Sequence, residues 1–316
     1  MPKISVIIPA FNCERSLPET IRSVLKQDYA DFEILVSDDG STDGTGRVCR
    51  SFTDPRIRYL RGDNRGPSAA RNRAIRASEG EYIALLDSDD KYLPGKLRAQ
   101  VEYLDRHEEA GIVYTDGFVT YPHKESIVYG KDDTRPHRGY VFDQLFMEYF
   151  MLTSSVMIRR KCFDTAGLFN ESLYRSEDYE LFLRIAKDYP VGYIDRALME
   201  YSKNRQDRLT GDFRKLCEAD HKMLLGIIDR YPDYFSARKE LARKRLRKLC
   251  FEFGYRCFKL NSHGEARRMF LKSIGYDKRF LTAYLYTGFT FLNPGTVSFF
   301  RNFKKRFRNV RFLRYG

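Results

Sequence analysis

The residues best suited to chemistry in this sequence are three closely spaced carboxylates that follow a short apolar run. The run spans residues 82–86, and the carboxylates are Asp87, Asp89 and Asp90. Strand stability does not require such acids, because like charges repel and burying one unpaired is costly. Hard oxygen ligands suit Mg²⁺ or Mn²⁺, ions that bind through one or two carboxylates plus the phosphates of a substrate. The spacing Asp87-Ser88-Asp89 therefore predicts a metal–diphosphate site at the end of a buried strand.

A lone Asp-x-Asp is equally typical of an acidic turn that leads into a helix near Pro94. A second acidic strand end favours the site. The β-branched run 32–36 leads into Asp38 and Asp39, followed by the turn-rich string 40–45. Two acidic strand ends, each followed by a turn and a helix start, predict a nucleotide-type ligand in one crevice.

The elements that must position these acids alternate along the first ninety residues. Strands are predicted at 4–9, 32–36, 57–60 and 82–86. Helices are predicted between them, on the apolar spacing around Leu17, on residues 45–52 and on the alanine-rich stretch after Pro67. Strands that alternate with helices indicate an α/β protein with right-handed crossovers and a mostly parallel sheet covered on both faces.

Four motifs in this region carry a family resemblance in their order and spacing. They are Ser5-Val6-Ile7-Ile8-Pro9-Ala10-Phe11-Asn12, Asp38-Asp39-Gly40-Ser41-Thr42-Asp43-Gly44-Thr45, Asn64-Arg65-Gly66 with Ala70-Arg71-Asn72, and Asp87-Ser88-Asp89. Together they resemble the inverting family 2 glycosyltransferases of GT-A fold, over about residues 3–205. The resemblance implies a Rossmann-like mixed sheet with helices on both faces. A nucleotidyltransferase shares much of this fold, but its Gly-rich phosphate loop with a lysine is missing from the turn at 10–13.

The resemblance also implies roles for single residues. Asp39 would accept a hydrogen bond from the nucleotide base, as uracil N3–H offers. Pro9 and Phe11 would line the base and ribose pocket. Asp87 would address the ribose, and Asp89 would be the ligand of Mn²⁺ or Mg²⁺. The implied nucleotide-binding set is completed by Asn12, Arg71 and Ser88.

A further carboxylate pair, Glu177-Asp178, follows Ser176 at the start of a helix predicted to run to Tyr189. Acids in a first helical turn are ordinary, because they complement the helix dipole and cap free N–H groups. On that ground alone the pair would be structural. The resemblance implies instead that Asp178 is the catalytic base, which takes the acceptor hydroxyl proton while that oxygen attacks the anomeric carbon. If Asp178 is not the base, Glu177 is the next candidate for that role.

Other segments between 97 and 208 surround this predicted site. A helix is expected after Pro94, and strands are predicted at 112–114, 155–158 and 191–194. Residues 121–138 are expected to form a polar loop over the site. The aromatic-rich stretch 142–151 fits either an acceptor cleft or, more simply, a core helix. By the resemblance, a mobile loop that closes on the diphosphate would carry Arg205 and Arg208 in place of a histidine.

Composition supports a folded protein of the cell interior. The chain has 316 residues, of which 42% are hydrophobic, enough for a core. No apolar run reaches the roughly 18–20 residues of a membrane span, and residues 1–3 lead straight into a strand instead of a secretory signal. The six cysteines have no close-pair metal spacing, so we expect reduced thiols in a cytosolic protein.

The net charge of +13 lies entirely in the last third of the chain. Residues 211–316 hold 25 basic and nine acidic side chains, whereas residues 1–210 hold 31 and 34. Different surface charge predicts two parts, a GT-A catalytic domain at 1–210 and a smaller all-helical region at 211–316. Residues 264–286 resemble one unit of a tetratricopeptide-type helical hairpin.

The C-terminal tail, about residues 297–316, has a distinct pattern. At helical spacing Phe300, Phe303, Phe307 and Val310 share one stripe, and seven basic and no acidic residues lie between 301 and 316. A basic amphipathic helix with aromatic anchors is typical of anionic membrane surfaces. The alternative is a solvated basic helix packed on its own domain. We expect a cytoplasmic protein held peripherally on the inner face of the cell membrane.

The leading hypothesis is a metal-dependent, inverting, hexosyl-type transferase in polysaccharide or glycoconjugate synthesis. Its donor would be a nucleotide sugar, most simply a UDP-sugar, and its acceptor a saccharide or a lipid-linked sugar. A nucleic-acid-binding protein, suggested by the basic last third, does not explain strand-end acids that would repel phosphates; no nucleic acid is expected as a partner. A non-catalytic nucleotide-sugar-binding module is the remaining alternative, against which Asp89 and Asp178 argue.

Overall fold

The computed structural model describes residues 1–121, 124–128, 137–202 and 213–292, with side chains omitted at 121, 124–128 and 213–216. The chain divides into two compact units, Met1–Asp212 and Phe213–Gly316. Among the described residues no helix is both long and apolar enough to cross a bilayer.

The first unit is built on a nine-stranded mixed sheet. One half is parallel, in the order β3-β2-β1-β4, and its strands are β1 (Ile4–Ala10), β2 (Phe32–Asp38), β3 (Ile57–Arg61) and β4 (Tyr82–Leu85). The helices of this half are α1 (Leu17–Leu25), α2 (Thr45–Arg50) and α3 (Pro67–Ala77). Each predicted strand and helix of the first ninety residues is therefore present, and these strands are parallel as expected.

The other half of the sheet is mixed, as the resemblance implied and the alternation alone did not. Its strands are β5 (Lys91–Tyr92), β6 (Ile112–Tyr121), β7 (Lys124–Val128), β8 (Met157–Arg159) and β9 (Val191–Ser202). Strand β8 runs antiparallel to both β4 and β6, while β9 runs parallel to β6. The helical elements here are α4 (Lys96–Arg106), α5 (Phe142–Met147), a 3-10 turn (Thr153–Ser155), α6 (Cys162–Ala166) and α7 (Glu177–Asp188).

The expectation of a polar loop over residues 121–138 is wrong in part. Residues 124–128 form β7, which pairs with β6 in an antiparallel hairpin. The backbone hydrogen bonds that extend β6 outweigh the polar composition of this stretch, which was the only basis for the loop. Residues 122–123 and 129–136 lie outside the described part of the chain.

The core of the first unit lies against the sheet. Strands β1, β2 and β4 read as continuous apolar runs because both of their faces are covered, and almost every side chain in them is buried. Helices α1 and α4 pack one apolar side each into this core, through Leu17, Ile21 and Val24 and through Leu97, Val101 and Leu104. The rigid sheet thereby fixes where each strand ends.

The second unit is helical in its described residues. Its helices are α8 (Phe213–Arg230), α9 (Pro232–Ser236), α10 (Lys239–Lys259), α11 (His263–Tyr276) and α12 (Leu281–Phe289). Helices α10 and α11 form a hairpin that turns at Asn261, which has a positive φ of 60°. A Cβ at Gly254 would lie 2.8 Å from the ring of Phe270, so this glycine lets the two helices approach closely.

Candidate active site

Three neighbouring strand ends bring the predicted nucleotide residues to one edge of the sheet. Strand β1 lies between β2 and β4, with Ala10 paired to Asp38 and Ile7 paired to Leu85. The Asp39 N–H donates to the carbonyl of Ala10 over 2.8 Å. The acids that follow β2 and those that follow β4 therefore flank the turn that follows β1.

Asp39 is held in place by backbone donors of the loop before α3. Its two carboxylate oxygens accept the N–H of Arg65 at 3.1 Å and that of Gly66 at 2.7 Å, and the guanidinium of Arg73 lies 3.7 Å away. Gly66 has a φ of 90°, a conformation that favours glycine. A carboxylate offers about four acceptor sites, so Asp39 keeps capacity for one more donor, such as a base N–H.

Asp38, next to it, is tied into the fold. Its carboxylate accepts hydrogen bonds from the hydroxyl of Tyr59 and the N–H of Ser41, and the side chain is fully buried. Burial alone would raise the pKa of Asp38, but these hydrogen bonds and the charge of Arg61 outweigh burial and lower it. We infer that Asp38 braces the strand end and that Asp39 is the one available to a ligand.

The turn after β1 presents one exposed aromatic ring. Phe11 is 43% exposed, whereas Pro9 is half-buried in the last part of β1. Asn12 has a positive φ of 46°, and its amide oxygen accepts the N–H of Thr42 at 2.9 Å. Its own N–H donates to the hydroxyl of Ser41 at 3.0 Å. Asn12 thus joins the turns that follow β1 and β2 and sets the position of Phe11.

Arg71 connects the two acidic segments that the sequence analysis treated separately. Its guanidinium lies 2.8 Å from the Asp87 carboxylate and 2.6 Å from that of Glu177, and the residue is only 5% exposed. Burial would lower the pKa of Arg71, but the charges of Asp87, Glu177 and Asp178 raise it above its usual value. This cation brings the end of β4 beside the start of α7.

The three carboxylates after β4 have different environments. Asp90 is buried and accepts hydrogen bonds from the Ser154 hydroxyl at 2.6 Å and the Ser202 N–H at 3.1 Å. Burial and the charges of Asp87 and Asp89 raise the pKa of Asp90 well above its ordinary range. Asp87 and Asp89 are half-buried. Ser88 is buried, and its carbonyl accepts the Thr20 hydroxyl at 3.1 Å. Asp90 therefore anchors the acidic turn.

This turn suits a hard divalent cation in its donor set and charge. Asp87 and Asp89 are half-buried in a segment that is crowded with negative charge, as the raised pKa of Asp90 reflects. In the described part of the chain, no three His, Cys, Asp or Glu side chains are grouped closely enough to hold a metal ion. That donor set fits an ion held by one or two carboxylates together with substrate phosphates.

Asp178 does not act as a conventional helix cap. One of its oxygens accepts the hydroxyls of Tyr149, at 2.7 Å, and of Thr153, while the other accepts the N–H of Tyr179 at 2.7 Å. The N-cap position belongs to Ser176, whose φ is 60° and whose side chain makes no capping bond. Three of about four acceptor sites on Asp178 are used, which leaves one for a hydroxyl donor.

The 3-10 turn at 153–155 is the part of the site that sequence reasoning missed. Thr153 donates to Asp178, and Ser154 both donates to Asp90 and accepts the Asp87 N–H at 3.0 Å. One turn thus binds two carboxylates, those of Asp90 and Asp178, and the backbone of Asp87, from two distant segments. The run Thr153-Ser154-Ser155 was a usable signal, because consecutive hydroxyl side chains supply the donors that buried carboxylates need.

The remaining predicted residues divide into two groups. In the stretch 142–151, helix α5 buries Phe142, Leu145 and Phe146, as the core-helix alternative expects, but Tyr149 reaches Asp178. Arg205 and Arg208 lie outside the described residues.

Sequence comparison decides the family. Residues 5–164 match the description of Glycosyl transferase family 2. The chain belongs to this family. A glycosyltransferase of Rickettsia felis is 36% identical over 203 residues, which cover 62% of this chain and 32% of the relative. Chondroitin synthase of Escherichia coli is 28% identical over 198 residues, covering 62% and 28%. The chain thus spans about a third of the length of these family members.

Solved structures show the fold of this family 2 chain to be of GT-A type. S. aureus TarS 1-349 in complex with UDP-GlcNAc has a TM-score of 0.58 and 19% identity, covering 87% of this chain and 89% of that one. The mannosyltransferase PcManGT from Pyrobaculum calidifontis, in complex with GDP-Man and Mn²⁺, has a TM-score of 0.60 and 19% identity, covering 91% and 79%. Both likenesses include a curled mixed sheet with its helices.

Proposed function

We propose that this chain is a metal-dependent, inverting hexosyltransferase that uses a UDP-sugar and a saccharide or lipid-linked acceptor. The observation that supports it most is the Arg71 bridge, which sets Asp87 and Glu177 side by side and so brings the strand-end acids next to Asp178. TarS binds UDP-GlcNAc and PcManGT binds GDP-Man, so a nucleotide sugar is the common ligand of these two neighbours. The remaining acceptor capacity of Asp39 suits uracil N3–H.

The proposed reaction needs one base and one leaving group. Asp178 takes the proton of the acceptor hydroxyl as that oxygen bonds to the anomeric carbon, and the bond to the nucleoside diphosphate breaks on the opposite face. Tyr149 and Thr153 orient the carboxylate that takes the proton. Asp89, with Asp87 beside it, would hold Mn²⁺ or Mg²⁺. When bound, the ion supplies positive charge that stabilises the departing diphosphate.

The nucleotide part of the donor is assigned to the adjacent strand ends. Phe11 and Pro9 pack against the base and ribose, and Asp39 accepts from the base. Asn12 and Ser88 hold the surrounding turns. Arg71 holds the Asp87 carboxylate in place, and Asp87 binds the ribose. Arg205 and Arg208 are assigned to the diphosphate.

The proposal also includes where the enzyme is located and which acceptors it meets there. The basic tail at 297–316 would hold the enzyme on the anionic inner face of the cell membrane, close to acceptors of polysaccharide or glycoconjugate synthesis.

A panel of nucleotide sugars tests the donor and the metal together. With Mn²⁺ present, a UDP-sugar should raise the melting temperature and be hydrolysed slowly, whereas Asp89→Asn should lose the Mn²⁺-dependent part of both effects. Asp63→Asn, an exposed acid on the loop after β3, is the control and should behave as the unchanged chain. Equal stabilisation by UDP-sugar with and without Mn²⁺, in both variants, would contradict the metal assignment. Stabilisation by GDP-sugars alone would contradict the base assignment.

A further inference from the structure

Helix α12 of the second unit has an exposed apolar side. Leu281, Tyr284 and Leu285 recur at the i, i+3, i+4 spacing of one helix side, and Leu281 and Leu285 are 77% and 51% exposed. The segment 281–292 contains no charged residue. Leaving such a helix side in water is unfavourable, because each exposed leucine forgoes roughly 1.5–3 kcal/mol of burial free energy.

The opposite side of α12 accounts for its position in the fold. Ala283 is buried, and the ring of Tyr286 contacts those of Phe251, Phe258 and Phe270 at centroid distances of 5.6, 5.8 and 5.6 Å. The helix is therefore anchored by one side on α10 and α11. Its outward leucines are not needed for that packing, so their apolar character calls for another explanation.

Charge around this side indicates what it meets. Lys278 and Arg279 are exposed directly before α12, and in the sequence seven basic residues follow between 301 and 316. An uncharged apolar helix side between basic flanks matches the boundary of an anionic lipid bilayer, where leucines enter the acyl region and tyrosine stays at the headgroups. A second copy of the chain would bring the same basic flanks together, which repulsion disfavours.

We propose that the outward side of α12 inserts into the interface of an anionic membrane and acts with the tail as a second anchor. This inference rests on the proposed membrane association of the tail. One anchor of either kind gives weak, reversible binding, and two together give stable attachment. The basic flanks supply attraction that falls with salt, whereas the leucines supply a part that does not.

The absence of tryptophan from the sequence gives a direct test on the full-length chain. Leu285→Trp places a single fluorophore on the proposed anchor, and Leu271→Trp, at a leucine of α11 with a similar exposure of 53%, is the control. With phosphatidylcholine–phosphatidylglycerol vesicles, the emission at 285 should shift to the blue and be quenched by brominated lipid. The emission at 271 should change little.

Two results with these probes would overturn the proposal. If vesicles sediment the chain but the emission at 285 does not move, the tail binds alone. If the emission at 285 is already blue-shifted without lipid, the side is covered by the tail or by a second copy, and light scattering tells these two apart.

A pair of substitutions measures the contribution of the leucines. Leu281→Gln with Leu285→Gln should lower the vesicle partition coefficient about tenfold or more, and most clearly at high salt, while Leu271→Gln should leave it unchanged. Equal partitioning of the double variant and the unchanged chain would also overturn the proposal. Transfer to a small soluble acceptor should be the same in both, so a chain that binds vesicles but transfers no sugar would refute the proposed enzyme activity without touching the anchor.

Discussion

At the scale of single residues, carboxylates of the same charge differ in burial and hydrogen bonding, and so they can serve different roles in the site. Asp38 and Asp90 are buried and hydrogen-bonded, so they hold the strand ends. Asp39 and Asp178 keep acceptor capacity, and Asp89 is half-buried. Asp38 and Asp90 therefore serve the fold, and the proposal assigns Asp39, Asp89 and Asp178 to ligand binding and chemistry.

Thr153 is the residue whose role is easiest to isolate. Its hydroxyl donates to Asp178, and a hydrogen bond to a charged group is worth about 1.5–3 kcal/mol. Thr153→Val keeps the shape and removes the donor, so kcat should fall about tenfold while the KM for donor stays constant. Steady-state kinetics with varied donor measure both values.

Thr153→Ser is the matched control, since it retains the hydroxyl and should restore most of kcat. If serine and valine lower kcat equally, the methyl group matters and the hydroxyl does not. If neither changes kcat, Thr153 does not position the base.

Residue roles were only partly predictable from the sequence. The acidic strand ends could be placed because strand length and the following turn residues fix them locally. The bridge from Arg71 to Glu177 could not, because the two residues are 106 positions apart and only the tertiary fold joins them. The same applies to Tyr149 and Thr153, because only the tertiary fold shows that their hydroxyls donate to Asp178.

At the scale of elements, the strands of the parallel half and their direction followed from the alternation with helices, whereas in the mixed half three strand positions were predicted but their pairing was not. Strands β1 to β4 alternate with helices, which permits only a few topologies. Strands β6 and β9 extend far beyond their apolar cores because each continues along a partner strand. Pairing of that kind leaves little trace in local composition, so the polar composition predicts a loop where residues 124–128 pair with β6.

Helix α4 buries a lysine, which destabilises the fold in a way that the sequence of the helix does not show. Lys96 is fully buried, with a hydrogen bond to Gln100 at 2.6 Å and the ring of Tyr92 4.0 Å from its ammonium. Burial lowers the pKa of Lys96 well below its ordinary value of 10.5. The unfolded chain keeps the proton at this position up to a higher pH than the folded protein does, so stability at this site rises with pH between the lowered pKa and 10.5.

Replacing Lys96 by methionine should stabilise the protein by about 1–3 kcal/mol at pH 7, because an apolar side chain of similar length fills the site without desolvating an amine. The gain should shrink between pH 8 and pH 10, because the free energy needed to remove the lysine proton on folding falls as the pH approaches 10.5. Urea titrations at several pH values measure the free energy of unfolding. Lys161→Met, at an exposed lysine, is the control and should change stability by less than about 0.5 kcal/mol.

A gain for Lys96→Met that stays constant across this pH range would contradict the depressed pKa. A loss of stability at every pH would mean that the lysine–glutamine–tyrosine contacts outweigh the cost of burial.

At the scale of the whole molecule, charge separates two kinds of surface. The GT-A unit is nearly neutral, and a cluster of its acids lies at one sheet edge, whereas the helical region from 213 on is strongly basic and has an exposed apolar helix side. Composition foretold this asymmetry, but not that helix α12 would leave leucines uncovered. The central claim remains that the acidic edge performs sugar transfer.

Asp178→Asn tests that claim most directly, because it keeps size and most hydrogen bonding and removes the proton acceptor. We expect transfer to fall about 10²–10⁴-fold, the range of general base catalysis, while the affinity for donor and the melting temperature change little. Asp188→Asn, at an exposed acid at the other end of α7, should keep full activity. Full transfer by Asp178→Asn would contradict the mechanism and direct attention to Glu177.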